Sequence, residues 1–171
     1  MVLGAPLLQR LILPELSIRR FLDVLAITVC FAFALVRISC FMNGCCTGVQ
    51  CDGGYCLSYA VGSQVWYNHW QAHLLASPAD RSLAVVPLHL LFMAASLAVG
   101  LFLMWFDQRR SFDGQIALLY LVLHDGAKGL LESLREPYVA QLQATSLGIA
   151  AAGLLVLLWI SHLRRRRAAP S

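Results

Sequence analysis

Charged residues are scarce in this chain: 13% of its 171 residues are charged and 59% are hydrophobic. A soluble globular domain has about 25% charged residues, so the composition excludes an ordinary soluble protein and predicts an integral membrane protein. The first residues, MVLGAPLLQRLILPEL, lack the basic start and the small-residue cleavage site of a signal peptide. We expect residues 1–20, which Pro14 interrupts, to form an interfacial lead-in.

Four apolar stretches are each long enough to cross a hydrocarbon core, which requires about 20 residues of helix. They are residues 21–41, 85–106, 115–134 and 144–162. No internal repeat divides the chain. The sequence therefore predicts an all-α integral membrane protein, with residues 1–171 as a single domain of about four transmembrane helices in one bundle. A cysteine-rich loop, residues 42–84, joins the first two spans, and residues 163–171 form a basic tail.

Arginine residues cluster on alternate sides of these spans. They precede the first span, separate the second from the third and follow the fourth: Arg10, Arg19, Arg20, Arg109, Arg110 and Arg164 to Arg167. Basic residues are enriched in cytoplasmic segments, so both termini are expected in the cytoplasm and the cysteine-rich loop outside it. The final arginines are interpreted as an anchor near anionic lipid, with no nucleic-acid partner.

Five of the six cysteines follow one another at the outward end of the first span and in the loop: Cys40, Cys45, Cys46, Cys51 and Cys56. An oxidising compartment permits disulfides, and all five are candidates for them. Cys30, inside an apolar helix, is expected to be a packing residue. Three of the intervals are C-x4-C, at the long end of the C-x2-4-C spacing of zinc sites, but no spaced His pair follows close behind. Although His69 and His73 could complete a metal site, we expect no metal.

The third span contains ionisable residues within an apolar sequence, GQIALLYLVLHDGAKGLLESLREP. His124, Lys128 and Glu132 recur every four residues and should share one helix face, with Asp125 beside them. Burying such a group in lipid costs about 2 to 4 kcal/mol, so we expect these groups to face a cavity or one another. A structural ion pair between Lys128 and Glu132 is one interpretation.

Arg37, in the outer part of the first span, favours a functional site instead. Cationic groups that converge from separate helices indicate an anion site, and the obvious anion in a membrane is a phospholipid phosphate. His89, which follows Pro87 at the start of the second span, could either reach the interface or contribute to this site.

Several motifs, in order along the chain, resemble the prolipoprotein diacylglyceryl transferases. VRISCFMNGCCTG is similar to the family's G-R-I-G-N-F-x-N-G-E-x-x-G, and HDGAKGLLESLREP is similar to Y-G-x-x-R-x-x-x-E-x-x-R-E-P. LSIRRFLDVLA, with Asp23, and VPLHLLF, with Pro87 and Leu90, resemble the segments around them. Cys40 and Cys45 stand at the family's Asn and Glu positions, Lys128 stands for Arg and His124 for Tyr, while Glu136 and Pro137 are retained.

The resemblance implies a bacterial inner-membrane transferase of lipoprotein biosynthesis. Such an enzyme moves diacylglyceryl from phosphatidylglycerol to the thiol of a lipobox cysteine in a prolipoprotein, without a cofactor. His124 would be the general base, Glu132 would orient Lys128, and Arg37 would act in catalysis and hold the phosphate. The other expected substrate-binding residues are Asn43, Gly44, Gly48, His89, Lys128 and Arg135.

The resemblance begins near Leu16, and the family's N-terminal spans, with their His-Gly-Gly element, have no counterpart in it. We therefore expect a divergent, truncated member, for which a partner chain could supply helices. Two alternatives stay open. One is an outward-facing membrane thiol/disulfide oxidoreductase, although the C-x-x-C pair typical of such enzymes does not occur. The other is a noncatalytic relative that binds lipid.

Overall fold

The computed structural model describes residues 17–135 and 139–168. Its α-helices are α1 (Ile18–Asn43), α2 (Gln64–Gln71), α3 (Leu88–Asp107), α4 (Gln115–Tyr120), α5 (Gly126–Leu131) and α6 (Ala140–Ala168). A π-helical stretch, Leu121–Asp125, joins α4 to α5, and a 3-10 turn, Glu132–Leu134, follows α5. We refer to residues 115–134, which are helical throughout, as the composite helix.

Three of the described helices, α1, α3 and α6, are long and apolar enough to cross a membrane. The prediction of an all-α integral membrane protein is thereby confirmed. Helix α1 extends beyond the predicted span at both ends, α3 begins later than residue 85, and α6 extends past both predicted limits. The composite helix coincides with the third predicted span, and its passage through the membrane stays a prediction.

Two caps delimit α1. At its start, Ser17 Oγ accepts a hydrogen bond from the Arg20 amide at 3.2 Å, as preferred at a helix N-terminus. At its end, Gly44 has a φ of +59°, a left-handed conformation that costs glycine little. The Cys45 amide then donates to the Cys40 carbonyl at 3.1 Å. The chain therefore turns back sharply over the last turn of α1.

Asp23 on α1 fixes the start of the composite helix. Its carboxylate is fully buried and accepts hydrogen bonds from the amides of Gly114 and Ala117 at 2.8 and 2.9 Å. These amides lie at a helix N-terminus, where they have no intrahelical acceptor and favour negative charge. The carboxylate thus satisfies them and ties the composite helix to α1, which gives Asp23 a structural role.

Small residues allow the long helices to approach closely. A Cβ atom on Gly100 of α3 would lie 3.0 Å from Cβ of Cys30 on α1, and one on Gly129 would lie 2.7 Å from the Leu147 side chain of α6. Cys30 is fully buried beside Leu103 and Ile116, which confirms its expected packing role. The composite helix contacts α1 and α3 as well as α6.

Basic side chains lie at one end of the bundle. Arg20 binds Asp107 through two nitrogen–oxygen contacts, and Arg110 approaches the same carboxylate at 3.2 Å. Arg164 of α6 donates to the Ser111 carbonyl at 3.0 Å. These contacts join α1, α6 and the segment after α3 at the end predicted to be cytoplasmic.

The segment between α1 and α3 closes the opposite end. The Gly48 amide donates to the Val86 carbonyl at 2.8 Å, and the Val49 amide donates to the Leu134 carbonyl at 2.9 Å. This segment thus connects the start of α3 to the end of the composite helix. Two motif residues of the sequence, Glu136 and Pro137, lie outside the described residues, as does most of the predicted lead-in.

Candidate functional site

A small cavity of about 10 Å³, which we call the inner cavity, lies among α1, α3 and the composite helix. Its lining residues are Phe33, Phe92, Ala95, Ser96, His124, Ala127 and Lys128. The predicted residues His124 and Lys128 therefore do meet at one place. The volume is about that of one water position, so in this conformation the inner cavity is closed to anything larger.

His124 is the central polar residue of the inner cavity and belongs to the π-helical stretch. It is 5% exposed, and its Nε2 lies 3.3 Å from Ser96 Oγ on α3. The Phe33 ring packs edge-on at 5.1 Å and the Tyr120 ring stacks at 4.9 Å, both measured between centroids. Within the described part of the chain Nδ1 has no hydrogen-bond partner. The imidazole is thus held on three sides with one nitrogen free.

Arg37 approaches the inner cavity from α1. Its guanidinium carbon lies 4.8 Å from the Phe33 ring centre and 4.6 Å from that of Phe92. Such cation–π contacts hold a guanidinium in place without using its hydrogen-bond donors. Nη1 lies 3.9 Å from the Cys40 sulfur, and no described residue accepts from the buried Nε. Phe33 therefore contacts both the cation and the imidazole.

The expected pairing of Lys128 with Glu132 is wrong. Glu132 is almost fully buried, and its Oε1 lies 2.6 Å from Arg135 Nη1; among the described residues no ion pair joins it to Lys128. The chain tightens to a 3-10 turn at Glu132–Leu134. Side chains three residues apart eclipse in this geometry, which brings Arg135 rather than Lys128 to the carboxylate. Lys128, the only lysine in the chain, lines the inner cavity instead.

Arg135 reaches a second, larger pocket. This outer pocket of about 260 Å³ is lined by Gly44, Cys45, Cys46, Thr47, Gln64, Val65, Asn68, Arg135 and Val139. The predicted site residues are therefore divided between two places. His124 and Lys128 line the inner cavity and Arg37 contacts two of its aromatic walls, whereas Gly44 and Arg135 line the outer pocket.

The remaining predicted binding residues, Gly48, Asn43 and His89, contact other parts of the protein. Gly48 fits tightly, because an added Cβ would lie 2.6 Å from the Leu134 carbonyl oxygen. Asn43 is exposed, and its Nδ2 lies 3.4 Å from Ser39 Oγ. His89 is fully buried and its Nε2 lies 2.9 Å from Tyr59 Oη. His89 therefore does not reach the interface, and it lines neither the inner cavity nor the outer pocket.

The five outward cysteines divide into a disulfide and three thiols. Cys51 is bonded to Cys56, whereas Cys40, Cys45 and Cys46 are free and half-buried. One disulfide therefore forms among the five candidates, while the sulfur atoms of the other three come together without bonding. Burial, together with hydrogen bonding to Cys40, raises the pKa of the Cys45 thiol to about 12.

Three residues that contact His124 had not been expected to take part in the site: Phe33, Ser96 and Tyr120. Each carries a weak signal in the sequence. Ser96 interrupts a long apolar run, and Tyr120 and Phe33 each lie four residues before a predicted site residue. Aromatic and hydroxyl groups at helical spacing are ordinary in membrane helices, so only the packing of α3 against the composite helix distinguishes them.

The family model described as prolipoprotein diacylglyceryl transferase matches residues 1–160. The chain belongs to this family. The match extends over most of the chain, including the residues before Leu16. The family is a transferase family of lipoprotein biosynthesis, and its substrates are lipids and lipoproteins. No curated protein and no solved structure matches the chain. The expected truncation of the N-terminal helices stays a prediction.

Proposed function

We propose that the protein transfers the diacylglyceryl group of phosphatidylglycerol to the thiol of a lipobox cysteine. One observation carries the proposal beyond family membership. Phe33 contacts the Arg37 guanidinium at 4.8 Å and the His124 ring at 5.1 Å, and Lys128 lines the same cavity. A base and two cations from separate helices thus surround one point, as a reaction between a thiol and a phosphodiester requires.

In the proposed reaction, the substrate sulfur attacks the glyceryl carbon that bears the phosphate. A carbon–sulfur bond forms, the carbon–oxygen bond to phosphate breaks, and its electron pair leaves with glycerol phosphate. The thiol proton passes to the base. Negative charge grows on the departing phosphate, and Arg37 and Lys128 would stabilise it, the first through its planar guanidinium and the second as a point charge.

His124 is the proposed base. A neutral imidazole carries its proton on one nitrogen and accepts through the other. With the proton on Nε2, that nitrogen donates to Ser96 Oγ, which lies 3.3 Å away. Nδ1, which has no hydrogen-bond partner among the described residues, is then available for the thiol proton. The stacked Tyr120 ring and the edge of Phe33 would keep this orientation.

Substrate binding requires the inner cavity to widen. About 10 Å³ is too little for either the thiol or the phosphate, so α3 and the composite helix must separate when the lipid enters from the bilayer. The outer pocket of about 260 Å³ could receive the polar headgroup, with Arg135 as a headgroup partner and the Gly44 turn as its wall.

The proposed orientation in the membrane follows from the two ends of the bundle. The arginine-rich end would lie in the cytoplasm, as the positive-inside rule requires. The outer pocket and the Cys51–Cys56 disulfide would face the extracytoplasmic side of the bacterial inner membrane. The composite helix would then be the third of four spans, with its buried charges facing the other helices.

Reconstitution with alanine variants tests this function. Arg37→Ala, Lys128→Ala and His124→Ala should each lower the rate of diacylglyceryl transfer to a lipobox peptide; for His124 the expected loss is about 10²- to 10⁴-fold. Arg81→Ala is the control, because Arg81 is exposed and its guanidinium donates a hydrogen bond to the Ser58 carbonyl, away from the proposed site. Wild-type rates in all three variants would remove the proposed site.

The alternatives predict different results in the same preparation. A noncatalytic relative would bind phosphatidylglycerol and transfer nothing. An oxidoreductase would show a thiol pair that cycles with quinone and is lost in Cys45→Ser or Cys46→Ser. Alkylation with and without reductant distinguishes this result from transfer.

A further inference from the structure

The turn after α1 gathers three free thiols. Cys40 lies in the last turn of α1, and Cys45 and Cys46 follow Gly44. Gly44 and Cys46 both have left-handed backbones, with φ of +59° and +55°, so the chain folds back over the helix end. As a result the sulfur atoms of the three cysteines all lie within 4.8 Å of one another.

A left-handed backbone is unusual at a residue other than glycine. At Cys46 it brings a third sulfur atom toward the other two. The three residues are half-buried, and Cys45 and Cys46 line the outer pocket of about 260 Å³. The thiols are therefore both clustered and reachable from outside the bundle.

The spacing of the three sulfur atoms suits a single metal ion. A metal–sulfur bond is about 2.3 Å long, so ligand sulfur atoms around one ion lie about 3.8 to 4.0 Å apart. The observed sulfur–sulfur separations are within 4.8 Å, and small rotations of the three side chains would shorten them to this distance. Arg37 Nη1 lies 3.9 Å from the Cys40 sulfur, so a cation borders the cluster.

We propose that Cys40, Cys45 and Cys46 bind one soft metal ion, Cu(I), through three thiolates. Soft sulfur ligands select Cu(I), zinc and iron–sulfur clusters. Structural zinc sites have four ligands, whereas no fourth Cys, His, Asp or Glu joins the group among the described residues. Binding exchanges three thiol protons for one Cu(I), so no oxidant or reductant is consumed. This inference is independent of the transfer reaction and replaces the expectation of no metal.

Titration of the reduced full-length protein in detergent tests the site. Cu(I) is added anaerobically as its acetonitrile complex, in competition with a chromogenic Cu(I) chelator. We expect one Cu(I) per chain, release of three protons, and X-ray absorption from three sulfur ligands. Cys40→Ser, Cys45→Ser and Cys46→Ser should each weaken binding by at least about 10-fold.

Two controls separate the site from thiol content and from misfolding. Cys30→Ser removes a free thiol that is buried elsewhere and should bind Cu(I) as the wild type does. So should the double variant Cys51→Ser, Cys56→Ser. In the wild type, Cu(I) should protect the three clustered thiols from alkylation, a result that does not depend on any variant folding.

Three results would overturn the proposal. The first is equal Cu(I) affinity in the wild type and in the three serine variants that still melt cooperatively. The second is a disulfide among Cys40, Cys45 and Cys46 in the protein as purified, detected by mass spectrometry. The third is Zn(II) binding tighter than Cu(I) at the same residues, which would contradict the choice of metal.

Discussion

Oγ of Ser96 lies 3.3 Å from Nε2 of His124, although the two residues belong to different helices. Ser96 lies on α3, and His124 lies in the π-helical stretch Leu121–Asp125. π-helical turns are rare and often occur at functional sites. This contact fixes one imidazole nitrogen and leaves the other for chemistry.

Ser96→Ala should slow transfer without abolishing it. The substitution removes a hydrogen bond that orients the base, and a contact worth about 1 kcal/mol corresponds to a rate loss of about 5-fold. Initial rates in phosphatidylglycerol vesicles measure this effect. Ser133→Ala is the matched control, because the exposed Ser133 donates only to its own helix at Leu130. Equal rates for both variants would argue against an orienting role for Ser96.

Ala127→Leu should block the site by filling it. Ala127 lines the inner cavity of about 10 Å³ beside His124 and Lys128, and a larger side chain there would occupy the space into which the phosphate must move. We expect transfer to fall at least about 10-fold, with a stability loss of about 1 to 3 kcal/mol from overpacking. Ala151→Leu, at an exposed position of α6, should retain transfer. Full activity of Ala127→Leu would place the reaction elsewhere.

Arg135→Ala should destabilise the protein because it leaves the Glu132 carboxylate without its ion-pair partner. Unpairing a buried charge costs about 3 to 5 kcal/mol, and less is expected here because the Arg135 side chain is 29% exposed. The double variant Arg135→Ala, Glu132→Gln should recover most of the lost stability. Thermal melts in detergent measure this recovery. Additive losses in the double variant would contradict the pairing.

Gly129→Ala and Gly148→Ala should shift stability in opposite directions. A Cβ on Gly129 would lie 2.7 and 2.8 Å from two Leu147 side-chain carbons, whereas Gly148 has open space around it. We expect a loss of about 1 to 3 kcal/mol at Gly129 and a gain of about 0.5 to 1 kcal/mol at Gly148. Melting temperatures of the two variants give the comparison. Equal shifts would show that α6 does not pack tightly against α5.

Apolar runs were sufficient to predict the three described helices that are long and apolar enough to cross a membrane, because length and hydropathy alone determine which segments can cross a bilayer. The same reasoning placed His124 and Lys128 together, since four residues make about one helical turn. It failed at Glu132, where the chain changes to a 3-10 turn. A repeat of four residues assumes a regular α-helix, and no feature of the local sequence reveals this change of pitch.

Contacts between distant segments could not be predicted from local pattern. Asp23 caps a helix that begins at Gln115, and Ser96 meets His124 only because α3 packs against the composite helix. The sulfur atoms of Cys40, Cys45 and Cys46 likewise come together at a turn with left-handed backbones at Gly44 and Cys46. Cysteine spacing alone allowed disulfides at all of them.

Transfer by the purified wild-type protein tests the central claim most directly. The protein is reconstituted in vesicles of phosphatidylglycerol or of phosphatidylethanolamine, a lipobox peptide is added, and the peptide mass and released glycerol phosphate are measured. We predict a peptide heavier by one diacylglyceryl group and an equal amount of glycerol phosphate, only with phosphatidylglycerol and only in the presence of His124. An unmodified peptide, with the folded protein still bound to phosphatidylglycerol, would contradict the account.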